Sequence, residues 1–337
     1  MSVQAKKGIS VFPRLRHRHG GERDRTVRTI AANAALWPDA TAFALPDDSP
    51  SPHDSKPAEN SPIKVLLVNA HPDDESESAG VVYRISHELG GTVDQVVITN
   101  GEGGYQYSAP AEAFYRLPLT NPTDGRQLLS QIRREELMRS SRILGIRDNY
   151  FLDQTDTGAT LRAEDAFDVW DVARIRQELR TLLEFGGYNV ILLLLPTAKT
   201  HGHHQTVAAI TLDVLNDMAP EDRPAAVGVQ TTSPAEGFSE LGGYALTRTT
   251  SSTPAWQLDR RTPLACHPTL DYSIVVNWAI AEHKTQGLFQ LENARRTHEH
   301  FWLFSASGET GAAKWSEFLK LLELGTSEVR LAQESVA

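Results

Sequence analysis

Residues 63–69 of the chain read IKVLLVN, and residues 70–75, which follow directly, read AHPDDE. A short, nearly continuous apolar run of this kind is typical of a β-strand that is covered on both faces, as in a parallel sheet. The histidine and the carboxylates then stand just beyond the carboxyl end of that strand. These two segments predict the type of sheet and the end of it at which polar chemistry is concentrated.

Strands and helices alternate along the chain after this first strand. The hydrophobic pattern predicts further strands at residues 93–99, 150–152 and 190–195. It predicts helices at residues 76–89, 127–144, 166–185 and 203–218. Such alternation favours an α/β, Rossmann-like fold, in which a mostly parallel sheet carries helices on both faces.

The pattern weakens after Pro220, and we expect a less regular C-terminal portion there. Strands are predicted at residues 226–231 and 244–249, and helices at residues 274–291 and 312–324. The sequence contains no internal repeat.

The first 60 residues differ from the rest of the chain. Residues 1–28 are rich in Lys and Arg, and residues 47–62 are dense in Pro, Ser and charged residues, as in a solvated linker. We expect residues 1–60 to form a poorly ordered extension and residues 61–330 to form the functional domain. Residues 29–45 are too interrupted for a signal-peptide core, so we expect a cytoplasmic protein, although the basic start leaves export open.

The composition excludes several classes of protein. The 337 residues are 40% hydrophobic and carry a net charge of −10, which argues against a nucleic-acid binder because such a protein needs a basic face. No apolar run approaches the roughly 18 residues of a membrane span. The single cysteine, Cys266, excludes an internal disulfide framework and a cysteine-rich metal site. Any chemistry must therefore use carboxylates and the 12 histidines.

Two predicted strands end in unusual polar sequences, residues 70–75 and residues 196–204 (PTAKTHGHH). In an open α/β sheet, ligands bind outside the carboxyl ends of the strands. A catalytic zinc site uses three nitrogen or oxygen ligands and leaves one position for water. His71 and Asp74 can supply two ligands, and the second loop can supply the third. Asp73 is then free to accept a proton from the activated water.

A second interpretation of the same residues needs no metal. Adjacent aspartates after a strand often cap the following helix. The chain would then be a non-catalytic, sugar- or nucleotide-binding α/β domain. The metal content of the purified protein distinguishes this hypothesis from that of a metal-dependent enzyme.

The sequence resembles the PIG-L, or LmbE-like, zinc-dependent N-deacetylases of the N-acetylglucosaminyl deacetylase type. The resemblance covers residues 63–215 well and residues 270–290 faintly. The motifs that carry it are residues 70–75, the pair His201-x-x-His204, residues 99–103 (TNGEG), residues 133–137 (RREEL) before 144–145 (LG), residues 151–152 (FL) with Asp156, and residues 281–286 (AEHKTQ).

The resemblance implies one Zn²⁺ per chain, held by His71, Asp74 and His204; Fe²⁺ or Co²⁺ would accept the same ligands. It also implies that Asp73 is the general base and that His201 polarises the carbonyl or protonates the leaving amine. The implied substrate is an N-acylated amino sugar or its conjugate, although another amide or an ester would suit the same chemistry.

Three further residues follow from the resemblance as substrate-binding candidates. Arg133 would face the sugar, Asp156 would orient His201, and Glu102 belongs to the motif after the second strand. We expect the surrounding residues 101–104 (GEGG) to form a flexible loop at the rim of the site, because the spacing of a dinucleotide-binding fingerprint is absent.

The second histidine motif departs from the family pattern. The family often has Pro-Asp between the two histidines, whereas this chain has Gly202 and His203. His203 therefore competes with His204 as the metal ligand. We favour His204, because its spacing from His201 matches the family and a helix begins directly after it. We expect His203 to be a solvent-exposed bystander.

Overall fold

A computed structural model of the chain describes residues 63–232, 237–287, 291 and 295–334, with side chains as far as residue 323. The predicted extension, residues 1–60, lies outside these ranges, so the division into an extension and a domain stays a prediction. None of the helices in the described ranges combines the length and the apolar composition that a bilayer span requires.

The main sheet has seven strands in the order β3-β2-β1-β4-β5-β9-β6 among the residues described. Strands β1 to β5 pair in parallel, whereas β9 is antiparallel to both β5 and β6. Strands β7 and β8 form a separate hairpin. The bounds are β1 (Lys64–Asn69), β2 (Thr92–Thr99), β3 (Ile146–Gln154), β4 (Val190–Leu194), β5 (Ala225–Gln230), β6 (Trp256–Asp259), β7 (Pro263–Leu264), β8 (His267–Asp271) and β9 (His298–Leu303).

Helices cover both faces of this sheet. Helices α1, α3, α7 and α8 contribute to the core on one face, and α4, α5 and α6 contribute to the core on the other. The bounds are α1 (Ala79–Tyr83), α2 (Ala109–Tyr115), α3 (Pro122–Leu144), α4 (Glu164–Phe167), α5 (Val172–Gly186), α6 (Gly202–Asn216), α7 (Tyr272–Glu282) and α8 (Gly308–Glu334). The predicted α/β class with a mostly parallel sheet is confirmed.

Strand β1 shows why the apolar run is continuous. Val65 and Leu67 belong to the core on one face, while Leu66 and Val68 belong to the core on the other. Successive side chains of a strand point to opposite faces, so a strand buried on both sides has few places for a polar residue.

The order of the strands reverses at β1. The chain runs outward from β1 through β2 to β3, and then returns to the other side of β1 with β4 and β5. The loops that follow β1 and β4 therefore diverge and leave a crevice between them. The sequences AHPDDE and PTAKTHGHH both begin at this crevice.

Two predicted helices are interrupted in the structure. The segment predicted as one helix at residues 76–89 is a 3₁₀ helix (Asp74–Ser78), then α1, then a π-helical turn (Arg84–Glu88). Helix α1 begins anew because Glu299 accepts hydrogen bonds from Gly80 N and Val81 N, at 2.7 and 3.0 Å. The segment at residues 166–185 is divided between α4 and α5, because Asp171 caps α5 by accepting from Arg174 N.

Two C-terminal predictions are also corrected. Residues 244–249 are not a strand: Ala245–Thr247 form a 3₁₀ helix, in which the Thr247 hydroxyl donates to Tyr244 O and accepts from Leu241 N. The helix predicted at residues 274–291 ends at Glu282 and is followed by a 3₁₀ turn, Lys284–Gln286. The last helix, predicted at residues 312–324, is the longer α8.

The capping residue Glu299 is part of a buried ion pair. Its Oε1 lies 2.9 Å from Arg260 Nε, and both side chains are almost fully buried. Arg260 also donates from Nη2 to Ser76 O, at 2.6 Å. One carboxylate therefore joins strand β9, the start of α1 and the segment after β6.

Replacement of Glu299 by Ala should lower the free energy of unfolding by about 3–5 kcal/mol, because Arg260 would remain buried without its partner. Urea denaturation followed by circular dichroism measures this change. The matched control is Glu317→Ala on the exposed side of α8, which should alter the free energy of unfolding by less than about 0.5 kcal/mol. Equal effects of the two substitutions would show that the Glu299 ion pair does not stabilise the fold.

Candidate active site

The turn after β1 is closed by the carboxylate of Asp74. Its Oδ2 accepts hydrogen bonds from the backbone amides of Ala70 and His71, both at 2.8 Å. Its Oδ1 lies 3.7 Å from His71 Nδ1 and 3.5 Å from His204 Nε2. One oxygen therefore shapes the turn, and the other faces the two imidazoles.

The loop after β4 delivers three histidines to the same place. His201 is the N-cap of α6, and His203 and His204 lie in its first turn. Gln205 fixes the preceding loop by donating from Nε2 to Thr200 O at 2.8 Å and to Thr197 O at 3.2 Å. The helix start thus places the imidazoles next to the turn after β1.

Gly202 is held tightly at this helix start. Its backbone amide donates to Thr160 O at 2.7 Å. A Cβ atom at this position would lie 2.3 Å from Arg162 O, so no larger residue fits. The segment that contains Thr160 and Arg162 is therefore bound directly to the start of α6.

The donor atoms of His71, Asp74 and His204 fit a metal ion. His71 Nδ1 and His204 Nε2 are 3.1 Å apart, and the carboxylate oxygen is 3.7 and 3.5 Å from them. In a tetrahedral zinc site with bonds of about 2.0–2.1 Å, ligand atoms are about 3.3–3.4 Å apart. Three borderline ligands at almost this separation could bind one metal ion.

A second set of donors, His71, His201 and His203, also lies within 4.8 Å of one another. It fits less well for two reasons. Backbone groups already engage His201, and the side chain of Thr157 already contacts His203. His201 Nδ1 accepts from His203 N at 3.3 Å, and its Nε2 lies 3.0 Å from Gly158 O. The set of His71, Asp74 and His204 is therefore the better metal site.

Burial and neighbouring charges shift the pKa values of this cluster in different directions. Burial lowers the pKa of His204 to about 3 and that of His201 to about 4, and the nearby His71 adds to both effects. Burial alone would raise the pKa of Asp74, but the facing His204 and His71 hold it below its usual range. Burial opposes protonation of His71, yet the carboxylate of Asp74 raises its pKa. Metals need neutral imidazoles and ionised carboxylates as ligands, and these are the forms that the shifts of His204 and Asp74 favour. A metal ion bound by His71 would displace the proton that Asp74 favours there.

Asp73 is held in an unusual conformation beside this cluster. Its backbone φ is 146°, a region that L-residues rarely occupy. Its Oδ1 forms an ion pair with Arg133 Nη2 at 3.0 Å. Burial raises the pKa of Asp73 to about 6, against the opposing charge of Arg133. The carboxyl group is therefore oriented by Arg133 and remains accessible, with one-fifth of the side chain exposed.

A cavity of about 260 Å³ opens over these residues. Of the residues predicted to form the site, those that line the cavity are His71, Asp73, Asp74, Arg133, Asp156, His201 and His204. Glu102 does not line it. Its side chain is buried, and burial raises the pKa of its carboxyl group.

Arg133 is used differently from the expectation that it faces a sugar. Besides the ion pair with Asp73, it donates to Pro72 O at 2.7 Å and to Gly101 O at 2.6 Å. The guanidinium therefore supports the turn that carries Asp73.

Asp156 also differs in its contacts from the predicted partner of His201. Its Oδ1 accepts from Gly158 N at 2.8 Å and lies 3.7 Å from His203 Nδ1. His201 instead contacts the backbone of the same segment, at Gly158 O. The orientation of His201 by Asp156 therefore stays a prediction.

The predicted flexible loop at residues 101–104 is instead buried and tightly packed. It enters a 3₁₀ helix, Glu102–Tyr107, and Gly101 has a φ of 71°. A Cβ atom on Gly101 would lie 2.5 Å from Arg133, and one on Gly103 would overlap the carboxylate of Asp156. The glycines are therefore needed for close packing and not for flexibility.

His203 is not the solvent-exposed bystander that the sequence suggested. Its exposed fraction is 0%, and its ring packs 5.0 Å from that of Trp170. His203 Nδ1 is 2.9 Å from His71 Nε2, and His203 Nε2 is 2.7 Å from Thr157 Oγ1. It is therefore buried next to His71, one of the candidate metal ligands.

Sequence reasoning missed several residues at the site. Glu77, Tyr107 and Gln286 also line the cavity. Glu77 lies three residues after Asp74, and Gln286 closes the AEHKTQ motif, so position within the motifs was the available signal.

A buried pair behind the cavity was missed as well. His283 Nε2 lies 2.5 Å from Glu75 Oε1, and Ser140 donates to the same oxygen at 2.6 Å. The charge of Glu75 raises the pKa of His283 against the effect of burial. This pair attaches the turn after β1 to the end of α7.

Comparison with known sequences finds a similar family. Residues 66–215 match the sequence model of the PIG-L family, described as GlcNAc-PI de-N-acetylase. This segment of the chain is similar to the PIG-L family. It contains both strand-end motifs, so the resemblance inferred from those motifs is confirmed.

A curated relative matches over a shorter stretch. The 1D-myo-inositol 2-acetamido-2-deoxy-alpha-D-glucopyranoside deacetylase 3 of Catenulispora acidiphila is 32% identical over 91 residues, which is 27% of this chain. The chain spans only 24% of the length of that relative.

Solved structures are similar at lower sequence identity. The N,N'-diacetylchitobiose deacetylase of Pyrococcus horikoshii has a TM-score of 0.45 and 18% identity, covering 82% of this chain and 93% of its own. The 4-carboxy-2-hydroxymuconate hydratase of Pseudomonas putida has a TM-score of 0.46 and 14% identity, covering 72% and 95%.

Replacement of Gly103 by Ala should lower the free energy of unfolding by about 1–3 kcal/mol, because the new methyl group would overlap the buried carboxylate of Asp156. Chemical denaturation measures this change. The control is Gly242→Ala, where a Cβ atom would have no neighbour within 4 Å. Equal free energies of unfolding for the two variants would show that the segment around Gly103 accommodates the added methyl group without loss of stability.

Proposed function

We propose that this protein is a zinc-dependent N-deacetylase, which removes an acetyl or other acyl group from an N-acylated amino sugar or its conjugate. The observation that carries the proposal is the convergence of His71 Nδ1, Asp74 Oδ1 and His204 Nε2 within 3.1–3.7 Å of one another. The description of the family and the name of the curated relative support the choice of reaction.

His71, Asp74 and His204 would hold the metal ion, and all three line the cavity. Zinc bound there would supply a Lewis acid that polarises the acyl carbonyl and acidifies water. Zinc suits two imidazoles and one carboxylate, and Fe²⁺ or Co²⁺ accept the same ligands.

Asp73 is the residue proposed to accept the proton of the attacking water. Arg133 engages its Oδ1, so the second carboxylate oxygen remains to take the proton. The water oxygen forms a bond to the acyl carbon, the C–N bond breaks, and the proton passes to the departing nitrogen. The products are a carboxylate and a protonated amine.

His201 is proposed to polarise the carbonyl or to protonate the leaving amine. Its Nδ1 accepts from His203 N at 3.3 Å. Its Nε2 lies 3.0 Å from Gly158 O and 3.2 Å from Thr160 N, so the backbone engages both ring nitrogens. To act on a substrate, the ring exchanges a backbone contact for the substrate.

The proposed partner is therefore a small N-acylated amino sugar or glycoconjugate. A non-sugar amide or ester is the alternative within the same chemistry. The cytoplasmic location and the lack of a nucleic-acid partner stay predictions.

Asp73→Asn should retain the bound metal and lower kcat by about 10²–10⁴-fold, because the ligands remain while the general base is lost. His204→Ala should instead lose most of the metal, since it removes a ligand. Elemental analysis of tag-free protein gives the metal content, and acetate release from N-acetylated amino sugars gives kcat.

The control for these variants is Asp168→Asn, which changes an exposed carboxylate away from the cavity. It should retain both metal and activity. Wild-type protein that binds no metal after incubation with zinc would support the non-catalytic binding domain. Near-normal turnover of Asp73→Asn would exclude Asp73 as the base.

A further inference from the structure

His203 connects a proposed metal ligand to the protein interior. Its Nδ1 lies 2.9 Å from His71 Nε2, and its Nε2 lies 2.7 Å from the hydroxyl of Thr157. The imidazole has no exposed surface. Both of its ring nitrogens therefore have one protein partner each, and water has no access to either.

The direction of these hydrogen bonds follows from metal binding. A metal ion held by His71 needs the lone pair of Nδ1, so the proton of the neutral ring is on Nε2. His71 Nε2 then donates to His203 Nδ1. His203 consequently carries its own proton on Nε2 and donates it to Thr157 Oγ1.

The acceptor for His71 is thus a neutral imidazole. Metal-bound histidines usually donate to a carboxylate or a backbone carbonyl, which fixes the tautomer and raises the basicity of the ligand. The nearest carboxylate on this side, Asp156, is 3.7 Å from His203 Nδ1 and accepts from Gly158 N. The acceptor for the N–H of His71 is therefore the imidazole of His203 and not the carboxylate of Asp156.

We propose that His203 is a positioning residue that fixes the tautomer and ring orientation of His71 through the chain His71–His203–Thr157. This inference rests on the proposed metal site, and it assigns His203 a role outside the ligand set. Its effect is on metal affinity, because a misoriented His71 directs its N–H toward the metal position.

Three variants test this role through zinc affinity, measured by competition with a chromophoric chelator. His203→Leu removes the acceptor and should weaken zinc binding by about 10–100-fold. His203→Asn keeps an acceptor oxygen near the position of Nδ1 and should bind within a few-fold of wild type. Thr157→Val keeps His203 but removes its far partner, and should have an intermediate effect. The visible spectrum of the Co²⁺ form reports whether His71 still coordinates.

The outcomes separate this inference from the proposed function. Equal zinc affinity of wild type and the folded Leu and Asn variants would overturn the positioning role. Loss of metal in both His203→Leu and His203→Asn, as in His204→Ala, would also overturn it and make His203 a ligand. Wild-type protein without zinc affinity would overturn the proposed function and this inference with it.

A different observation concerns the charge of the substrate. Arg133 is the one Lys or Arg side chain among the described residues that line the cavity. Its guanidinium is already engaged by Asp73, Pro72 O and Gly101 O. The described part of the cavity therefore offers no free Lys or Arg side chain to a phosphate or a carboxylate on a substrate.

Glu77 adds a negative charge to the same cavity. Its Oε2 accepts from Thr231 N and Thr231 Oγ1, both at 2.7 Å. Its Oε1 has no hydrogen-bond partner among the residues described. The carboxylate is thus held in place by one oxygen, and the other is free to accept a hydrogen bond from a hydroxyl group.

From these contacts we infer that Glu77 selects uncharged, hydroxyl-bearing substrates and disfavours anionic ones. The inference rests on the proposed deacetylase function and specifies its substrate class. Unfavourable juxtaposition of like charges lowers affinity, and salt screens the effect.

Acetate release from the methyl glycoside of N-acetylglucosamine and from N-acetylglucosamine 1-phosphate tests this inference. For wild type, kcat/KM should favour the glycoside by about tenfold or more at low salt, and less at high salt. Glu77→Gln should bring the ratio of the two kcat/KM values closer to one, because it removes the charge of the side chain and keeps its shape. Thr231→Val keeps the charge and serves as the control, with the ratio retained.

A ratio near one for wild type, or a ratio unchanged in Glu77→Gln, would overturn the role of Glu77. Absence of acetate release from a wider set of N-acylated amino sugars by zinc-loaded wild type would instead count against the proposed function.

Discussion

The site depends on the two hydrogen bonds that Asp74 Oδ2 accepts from the backbone amides of Ala70 and His71. These bonds fold the chain back on itself immediately after β1, so the second carboxylate oxygen faces the imidazoles of the neighbouring loop. The reversal of strand order beside β1 supplies that neighbouring loop. A local turn and the topology of the sheet together assemble the ligands, and neither alone would do so.

The sequence was sufficient to predict those elements whose structure depends on local interactions or on a periodic pattern of apolar residues. The apolar runs of β1 and β4 predict buried parallel strands, and a motif directly after each predicts the edge at which they meet. The sequence was not sufficient where a distant residue decides the outcome. Helix α1 begins where it does because Glu299, 219 residues from Gly80, accepts its first amides. No periodicity within residues 76–89 contains that information.

The same reasoning explains the errors at the site. His203 lies next to a helix start in a polar loop, which is typical of an exposed residue. Its contact is with His71, 132 residues away in the sequence. Likewise, the glycines at residues 101–104 suggest flexibility, whereas Arg133 and Asp156 pack against them from other elements. The motifs predicted which residues meet at the cavity, and burial was not predictable from them.

The tight contacts of Gly202 limit which residue can occupy its position. A proline at this position, as the family often has, could not donate the hydrogen bond that Gly202 makes to Thr160 O, and its ring would meet Arg162 O. A chain with proline at position 202 would therefore need a different path for the segment around residues 158–162. The residue between His201 and His203 and the path of that segment cannot be changed independently.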